Sequence, residues 1–415
     1  QVANLSLFPG FEHHSLTMKD LSDAYRLRNR VIECMEMADV TRFPDIKQRA
    51  LTFVVGGAGF SGVETMGELA EMVDRILPEY PNIQRHEIRL VIIQIGHRVL
   101  PELPEHLSEY ALNQLEKRGV EVWLNTGIHS ATQHAVYTND GRSLPTRTIV
   151  TTIGNGPSEF VKSLPIALQR GRIAVSAELE VIGLSNVWSI GDAALVPLNT
   201  DQESPLYAPP TAQFAVAQAE VLAHNILHRT RGQNLVTFTH KAAGIMASLG
   251  GGRGVAEIYG RRVTGITAWL IWRAAYIGML PGLATKIRVA LDWFFDLFMP
   301  RTIVYMAESD SPATRYLDYS KGEVVQHANE VPAGFYIVLS GSATQELERP
   351  DGEPEYHELR VGDSWGARAL KEHRLTHGKI TAREDTKLLL VNSGDFQRLR
   401  NSYEPFNELL SAGDK

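Results

Sequence analysis

Apolar and polar positions follow several different patterns along this 415-residue chain, and each change of pattern predicts a different element. Residues 51–56 (LTFVVG) form a short apolar run with adjacent valines, which is typical of a buried strand. Three glycines follow within six positions, and the chain up to residue 71 then has apolar residues at helical spacing. Residues 88–95 (IRLVIIQI) predict a second buried strand. The order of strand, glycine-rich turn, helix and strand is typical of a parallel α/β domain.

The glycine-rich turn is the strongest candidate for a binding site. Its glycines are Gly57, Gly59 and Gly62, in the spacing GxGxxG between a strand and a helix. In a dinucleotide-binding turn the first glycine permits the tight turn, the second lets the main chain approach the pyrophosphate, and the third lets the helix pack closely. The helix N-terminus then offers free N–H groups to the anion. The alternative is a glycine-rich turn in some other α/β unit.

The residue that ends the second strand bears on the choice of nucleotide. An acidic residue commonly holds the ribose 2′-hydroxyl at this position, whereas this chain has Gln94. An amide can still bond a hydroxyl and does not repel a 2′-phosphate, and Arg98 lies close enough in sequence to pair with that phosphate. Both NADH and NADPH therefore stay open.

A second motif occurs about 130 residues later. Residues 186–196 (NVWSIGDAALV) predict a short strand that ends at Gly191 and Asp192. With the glycine-rich turn this resembles the two-dinucleotide-binding flavoprotein superfamily, in which such an Asp lies against the ribityl chain of FAD. Residues 147–154, ending at Gly154, resemble the strand that leads back to the FAD domain. The resemblance implies two cofactors, FAD and NAD(P)H.

Four further segments narrow this resemblance to type II NADH:quinone oxidoreductases. They are residues 6–40, 209–218 (PPTAQFAVAQ), 241–256 and 264–280. The family transfers a hydride from NAD(P)H to flavin and two electrons from flavin to a membrane quinone, without pumping protons. The resemblance therefore implies this activity for the protein.

Two residues match family positions beside the flavin. Glu64 matches a glutamate near the flavin and nicotinamide rings; the alternative is a first-turn glutamate favoured by the helix dipole. Gln213 matches a glutamine that lines the quinone pocket; the alternative is an ordinary helix-start residue after a Thr211 cap. The family often has paired glutamines further along, where this chain has Ala217 and Gln218.

Composition excludes several other classes of protein. Cys34 is the single cysteine, so a disulfide reductase of the same fold is excluded, and we expect it to be a buried small residue on a helix. The formal net charge of −7 argues against general nucleic-acid binding. The histidines show no metal-ligand spacing, so no metal site is predicted.

Residues 244–306 are predicted to bind a membrane surface. The apolar stretch 266–283 is too short and interrupted to span a bilayer, and residues 285–299 cluster aromatic and aliphatic residues at helical spacing. Trp269, Trp272 and Trp293 suit the headgroup interface. The prediction is a monotopic anchor on the cytoplasmic face of the bacterial inner membrane; the alternative is a pair of core helices or helices that form a homodimer.

The C-terminal residues 316–415 have a different pattern, with short strands and regular glycines after a polar linker at 307–315. The pattern predicts a short-stranded antiparallel sandwich that resembles the cyclic-nucleotide-binding β-roll, with turns at four glycines: Gly322, Gly334, Gly341 and Gly362. The family's ribose-binding Glu and phosphate-binding Arg align with Ala367 and Thr376. We therefore predict a degenerate or regulatory domain, and binding of cAMP or cGMP stays open.

The predicted fold class is α/β, with a Rossmann-like NAD(P) domain at residues 51–154 inserted in an FAD-binding domain. Residues 1–50 and 155–243 are expected to be the two parts of that FAD-binding domain, the first of them a remnant, because no glycine motif precedes Gly56. Membrane-binding helices and the antiparallel β-roll follow. Two other functions stay open: a soluble flavin-dependent NAD(P)H reductase, and a non-catalytic sensor of NAD or cyclic nucleotides.

Overall fold

A computed structural model describes residues 1–199, 206–242, 244–295, 314–349 and 353–402. The end of the predicted membrane-binding region (296–306), most of the predicted linker (307–313) and the last thirteen residues lie outside these ranges.

A parallel five-stranded sheet in the order β2-β9-β3-β4-β5 is the centre of the first unit. All residues of β3 are buried, as expected for a parallel strand covered on both faces. The strands are β1 (Val2–Ala3), β2 (Ser15–Thr17), β3 (Thr52–Gly56), β4 (Arg89–Ile93), β5 (Val120–Trp123), β6 (Ile128–Ala131), β7 (Ala135–Thr138), β8 (Ser143–Pro145) and β9 (Thr148–Thr151). The helices are α1 (Phe11–His14), α2 (Leu21–Val40), α3 (Pro44–Ala50), α4 (Phe60–Ile76) and α5 (Glu105–Lys117).

Helix α2 begins at a capping box, in which the Asp20 side chain accepts from the Asp23 N–H and the Asp23 side chain accepts from the Asp20 N–H. This arrangement satisfies two backbone donors that a helix start leaves free. Cys34 lies on the buried face of α2, as predicted, and burial raises the pKa of its thiol. Helix α4 packs Val63, Met66 and Ala70 into the main core cluster.

A second unit follows the sheet and contains β10 (Asn155–Gly156), β11 (Leu168–Gln169), β12 (Arg172–Ala174), β13 (Ala194–Leu195), α6 (Glu159–Ser163) and α7 (Ala212–Thr230). Its core includes Phe214 and Phe238. The sequence predicted a strand ending at Gly191. Instead, Trp188 makes one isolated bridge with Glu180, and a 3-10 turn begins at Gly191.

The third unit is an antiparallel sheet followed by two helices: β14 (Gly244–Ser248), β15 (Gly254–Ile258), β16 (Arg261–Thr264), α8 (Gly265–Met279) and α9 (Leu283–Phe295). Among the described residues, no helix combines the length and the apolar character needed to cross a bilayer.

The C-terminal unit is a β-roll of two four-stranded antiparallel sheets, β17-β24-β19-β22 and β18-β23-β20-β21. Its strands are β17 (Thr314–Tyr319), β18 (Val324–Gln326), β19 (Gly334–Ser340), β20 (Ala343–Glu348), β21 (Pro354–Leu359), β22 (Ser364–Trp365), β23 (Lys379–Ala382) and β24 (Thr386–Asn392), with helices α10 (Ala367–Glu372) and α11 (Ser393–Ser402).

Three of the four glycines predicted at turns of the roll have a positive φ: Gly322, Gly341 and Gly362. The fourth, Gly334, begins β19 instead. A side chain there would collide with the Val391 carbonyl on the paired strand, so close strand packing explains this glycine. The predicted fold class, a Rossmann-like α/β core followed by amphipathic helices and an antiparallel β-roll, is confirmed.

Candidate functional site

The glycine-rich turn joins β3 to α4 at the carboxyl end of the parallel sheet. Gly57 has a φ of +100°, which favours glycine. A Cβ on Gly62 would collide with the Gly57 carbonyl oxygen, so only glycine lets α4 start this close to the turn. A Cβ on Gly59, in contrast, would meet no protein atom within 4 Å. The turn therefore has open space beside Gly59, where a ligand can approach the main chain.

Gln94 directly follows β4 and contacts the same turn. Its Oε1 accepts a hydrogen bond from the Ala58 N–H at 3.1 Å, which leaves the Nε2 hydrogens as its remaining donors. Arg98 donates to the Pro101 carbonyl at 2.6 Å, while its buried Nε has no partner in the described structure. The structure thus brings Gln94 together with the three motif glycines.

Glu64 lies on α4, one half-turn after Gly62, and is half-buried. Its Oε1 accepts hydrogen bonds from the Ser248 N–H at 3.0 Å and from Trp272 Nε1 at 2.9 Å. Burial raises the pKa of Glu64 to about 7, although both hydrogen bonds lower it, and the nearby Glu68 charge raises it further. A carboxyl with this pKa can bind or release a proton at neutral pH.

A cavity of about 500 Å³ opens beside Glu64. Its lining includes Arg28, Glu68 and Met72 from the first unit, and Ser248 and Trp272 from the third. The sequence analysis did not connect Ser248 or Trp272 with Glu64, because 184 and 208 residues separate them and no local pattern indicates the contact.

The second group of predicted residues lies in the second unit. Gly154 and Gly191 both have positive φ, and Asp192 is exposed on the turn that begins at Gly191. The Gly191 N–H donates to Oε1 of the buried Gln218 at 2.7 Å. Gln218, at the position where the family often has paired glutamines, thus fixes this turn against α7.

Gln213 lies in the first turn of α7 and is half-buried. Thr211 occupies the N-cap position with an extended backbone, but its side chain makes no capping hydrogen bond. The alternative explanation was an ordinary helix start capped by Thr211. Thr211 has the position expected of a cap but does not make the capping hydrogen bond.

Helices α8 and α9 carry an unusual amount of exposed apolar surface. The exposed large side chains are Ile266, Leu270, Tyr276, Met279, Leu283, Ile287, Leu291, Phe294 and Phe295. Trp269, however, is buried, and the Arg273 guanidinium lies 3.9 Å from its ring centroid and 4.6 Å from that of Trp293. The aliphatic and phenylalanine side chains, rather than these two tryptophans, form the outer surface.

The β-roll contains a separate cavity of about 310 Å³, lined by Trp365, Ala367 and Thr376 among others. The hydroxyl of the buried Thr376 donates to the His327 carbonyl at 2.7 Å and accepts from the Glu330 N–H at 2.9 Å. It therefore contributes no charge to the cavity.

Arg374 and Lys379 are cations close in sequence to Thr376 that could replace the family's phosphate-binding arginine, but neither is at the aligned position. The exposed Arg374 lines the cavity but pairs with Glu372 at 3.3 Å, whereas Lys379 begins β23 opposite Glu346 and is not part of the lining. Within the described ranges, no group of three or more His, Cys, Asp or Glu side chains is arranged to hold a metal ion.

Three family models match successive parts of the chain. The model for pyridine nucleotide-disulphide oxidoreductases matches residues 2–219, which is 218 of 415 residues. The NDH2 C-terminal domain model matches residues 242–302, and the cyclic nucleotide-binding domain model matches residues 316–403.

Curated relatives include a type II NADH:quinone oxidoreductase of Staphylococcus haemolyticus, 30% identical over 62% of this chain and 63% of that protein. Another is the type II NADH:quinone oxidoreductase Ndh of Mycobacterium tuberculosis, 29% identical over 66% of this chain and 60% of that protein. A "Probable NADH dehydrogenase" of Dictyostelium discoideum is 29% identical over 71% of this chain and 65% of its own length. The chain therefore spans 60–65% of the length of these relatives.

A solved structure of NDH2 from Plasmodium falciparum in complex with NADH shares the fold, with a TM-score of 0.66 over 73% of this chain and 77% of that chain at 18% identity. The first family model covers more than half of the chain, and the other two follow it in order. The chain belongs to the pyridine nucleotide-disulphide oxidoreductase family, and it continues with an NDH2 C-terminal domain and a cyclic nucleotide-binding domain.

Proposed function

We propose that the protein carrying this chain is an FAD-dependent NAD(P)H:quinone oxidoreductase that works at a membrane surface without pumping protons. The observation that carries this proposal is the environment of Glu64. This carboxyl follows the glycine-rich turn by two residues, and its hydrogen-bond donors, Ser248 and Trp272, come from the region that matches the NDH2 C-terminal domain. One titratable group thus joins the nucleotide-binding turn to the apolar helices.

The residues of the turn fit a dinucleotide. The open space at Gly59 admits a pyrophosphate, and the free N–H groups at the start of α4 can donate to it. The Nε2 hydrogens of Gln94 can donate to a ribose hydroxyl or to a 2′-phosphate, so we propose that both NADH and NADPH are accepted. The turn at Gly191 and Asp192, held by Gln218, fits the ribityl side of FAD.

Bound FAD would supply the hydride acceptance and the two-electron delivery to the quinone. The chain's own contribution is orientation and proton handling. Glu64, with a pKa of about 7, can hold a proton at Oε2, because Oε1 accepts from Ser248 and Trp272, and can release it at neutral pH. The amide of Gln213 can donate to a quinone carbonyl.

The exposed apolar surface of α8 and α9 supports a peripheral position on a membrane. Exposed side chains such as Leu270, Leu283 and Ile287 would enter the acyl boundary, and Arg288 would meet anionic headgroups. We propose the cytoplasmic face of a bacterial inner membrane as the location. A homodimer that buries the same surface is the competing arrangement.

We propose that the β-roll does not sense cyclic nucleotides by the family's usual contacts. Ala367 and Thr376 replace the two ligand-binding residues, and Thr376 is fully engaged by backbone groups. Titration calorimetry with cAMP and cGMP is expected to give no micromolar binding, and micromolar binding of either would contradict this proposal.

The test of the proposed function is turnover by the purified protein. We expect a yellow protein that oxidises NADH or NADPH with a ubiquinone or menaquinone analogue, and that needs detergent or vesicles for full activity. A colourless protein that fails to oxidise either nucleotide after addition of FAD would favour the non-catalytic sensor. A yellow protein that is soluble and inert toward quinones would favour the soluble flavin reductase.

A further inference from the structure

A cavity of about 310 Å³ lies between the β-roll and the first unit, and no cofactor or substrate of the proposed function accounts for it. Its lining comes from α1, β2 and α2, from the loop between β6 and β7, from the residues around the start of β9, and from β17 of the roll. The cavity is therefore at the amino ends of the parallel strands. The glycine-rich turn lies at the opposite, carboxyl end of the same sheet.

The charged groups that line this cavity are mostly cationic. Its acidic and basic lining residues are Glu12, His13, His14, Arg30, Arg147 and Arg315. Three arginines thus face one carboxylate. They come from three separate elements, namely α2, the start of β9, and β17.

Two of these arginines have no carboxylate partner. Arg30 contacts Glu33 at 3.4 Å, whereas in the described structure no carboxylate oxygen lies within 4.0 Å of the guanidinium of Arg147 or of Arg315. The Arg147 guanidinium donates to the Met37 sulfur at 3.2 Å, and its buried Nε makes no hydrogen bond within the described ranges. A partly buried guanidinium without an anion is unfavourable, and a bound oxyanion would remove this penalty.

The acidic residues nearest to the cavity on the roll are already engaged. Asp318 Oδ2 lies 3.0 Å from His14 Nε2, and Glu323 accepts from Thr132 at 2.9 Å and from Tyr137 at 3.0 Å. These hydrogen bonds are made with groups other than the three arginines of the cavity.

The buried Nδ1 of His14 is a further unsatisfied polar atom in this lining. The excess of positive charge also acts on neighbouring groups. Burial lowers the pKa of His134 well below its ordinary value, and the charges of Arg49, Arg147 and His14 lower it further.

We propose that this cavity is a binding site for a phosphate group, either free or carried by a small organic molecule, which bridges the first unit and the β-roll. Guanidinium groups bind phosphate through paired N–H···O bonds, and three arginines from three elements could surround one phosphate. The cavity volume is at the lower end of the range for small-molecule sites, about 300–1,000 Å³, so it also has space for a small organic group. This inference is independent of the proposed function.

The test is titration calorimetry with inorganic phosphate at constant ionic strength, with saturating NADH present so that phosphate does not bind at the glycine-rich turn. We expect one saturable site in the unmodified protein. Arg147→Gln and Arg315→Gln should each weaken binding about tenfold or more, because each removes charge-assisted hydrogen bonds. Arg398→Gln, which changes an exposed arginine on α11, is the control and should bind phosphate normally.

A second titration with glycerol 3-phosphate distinguishes the two sources of phosphate: tighter binding than inorganic phosphate assigns the site to an organic phosphate, and weaker binding assigns it to the free ion. Arg315 is exposed on a strand of the roll, so we expect Arg315→Gln to fold. If Arg147→Gln does not fold, phosphate binding by Arg315→Gln tests the proposal. Absence of saturable binding in the unmodified protein, or normal binding by the arginine variants that fold, would overturn the proposal.

Discussion

At the scale of single residues, Glu64 is a group whose protonation depends strongly on its surroundings. Because its pKa is about 7, the rate of quinone reduction should show an ionisation near pH 7. We expect Glu64→Gln to remove that ionisation and to lower kcat about tenfold or more, while the affinity for NADH changes little. The measurement is kcat and KM between pH 5.5 and 8.5. An unchanged pH profile would mean that Glu64 carries no proton in the reaction.

The hydrogen bond from Trp272 gives a sharper test of the same residue. This bond stabilises the ionised carboxylate and therefore lowers the pKa of Glu64 against the effect of burial. Trp272→Phe removes the donor, so the ionisation should move to higher pH. Trp293→Phe is the matched control, because Trp293 stacks on Trp272 but does not bond Glu64. A shift to lower pH, or equal shifts in both variants, would contradict this account.

A single side chain, Gln94, also bears on the choice between NADH and NADPH. Gln94→Glu keeps an oxygen for the Ala58 N–H and replaces the amide donors with a second carboxylate oxygen. That charge should repel a 2′-phosphate while it accepts a hydrogen bond from a 2′-hydroxyl. We expect kcat/KM with NADPH to fall about tenfold or more and kcat/KM with NADH to hold or rise. NADPH turnover that survives unchanged would show that position 94 does not face the ribose.

We propose that nucleotide binding depends on the turn between β3 and α4, and experiments can distinguish the roles of two of its glycines. Gly59→Ala adds a methyl group to open space, so the melting temperature should stay the same while NADH binding weakens about tenfold or more. Gly62→Ala forces the helix away from the Gly57 carbonyl and should cost about 1–3 kcal/mol of stability as well. Calorimetry and thermal unfolding measure both effects. Normal NADH binding by Gly59→Ala would exclude a pyrophosphate there.

This turn could be predicted from the sequence because all its determinants lie within a dozen residues. The same locality explains why Cys34 was correctly predicted on a buried helix face. Gly334 was assigned wrongly to a turn, because a glycine that permits close strand packing has the same sequence appearance as a turn glycine. Trp272 was assigned to the lipid interface from its residue type and the family resemblance. Its hydrogen bond to Glu64 depends on packing between distant elements and has no local sequence pattern.

At the scale of the whole molecule, the packing of the β-roll against the first unit could not be predicted from the sequence. The contacts that cross this interface join residues about 190 to 300 positions apart, for example His14 with Asp318 and Thr132 with Glu323. No periodicity or motif encodes such pairs. The structure shows a polar interface at the amino ends of the sheet, so the roll is packed against the unit that carries the glycine-rich turn.

At this interface, His327 contacts both Thr376, which lines the cavity of the roll, and the start of α3, which leads into the parallel sheet. His327, whose carbonyl accepts from Thr376, stacks on Phe43 with ring centroids 4.5 Å apart and contacts Asp45 at 2.7 Å. Phe43 caps α3, which leads into β3 and the glycine-rich turn.

We expect His327→Ala to weaken docking of the roll by about 1–2 kcal/mol, through loss of the ring stack and of the partly exposed hydrogen bond with Asp45. Hydrogen exchange should then become faster in α3 and β18 together, and KM for NADH should change as well if the roll influences the nucleotide site. His357→Ala is the control, because the partner of His357, Glu355, lies on the same strand, β21. Faster exchange confined to the roll would show that α3 does not depend on this contact.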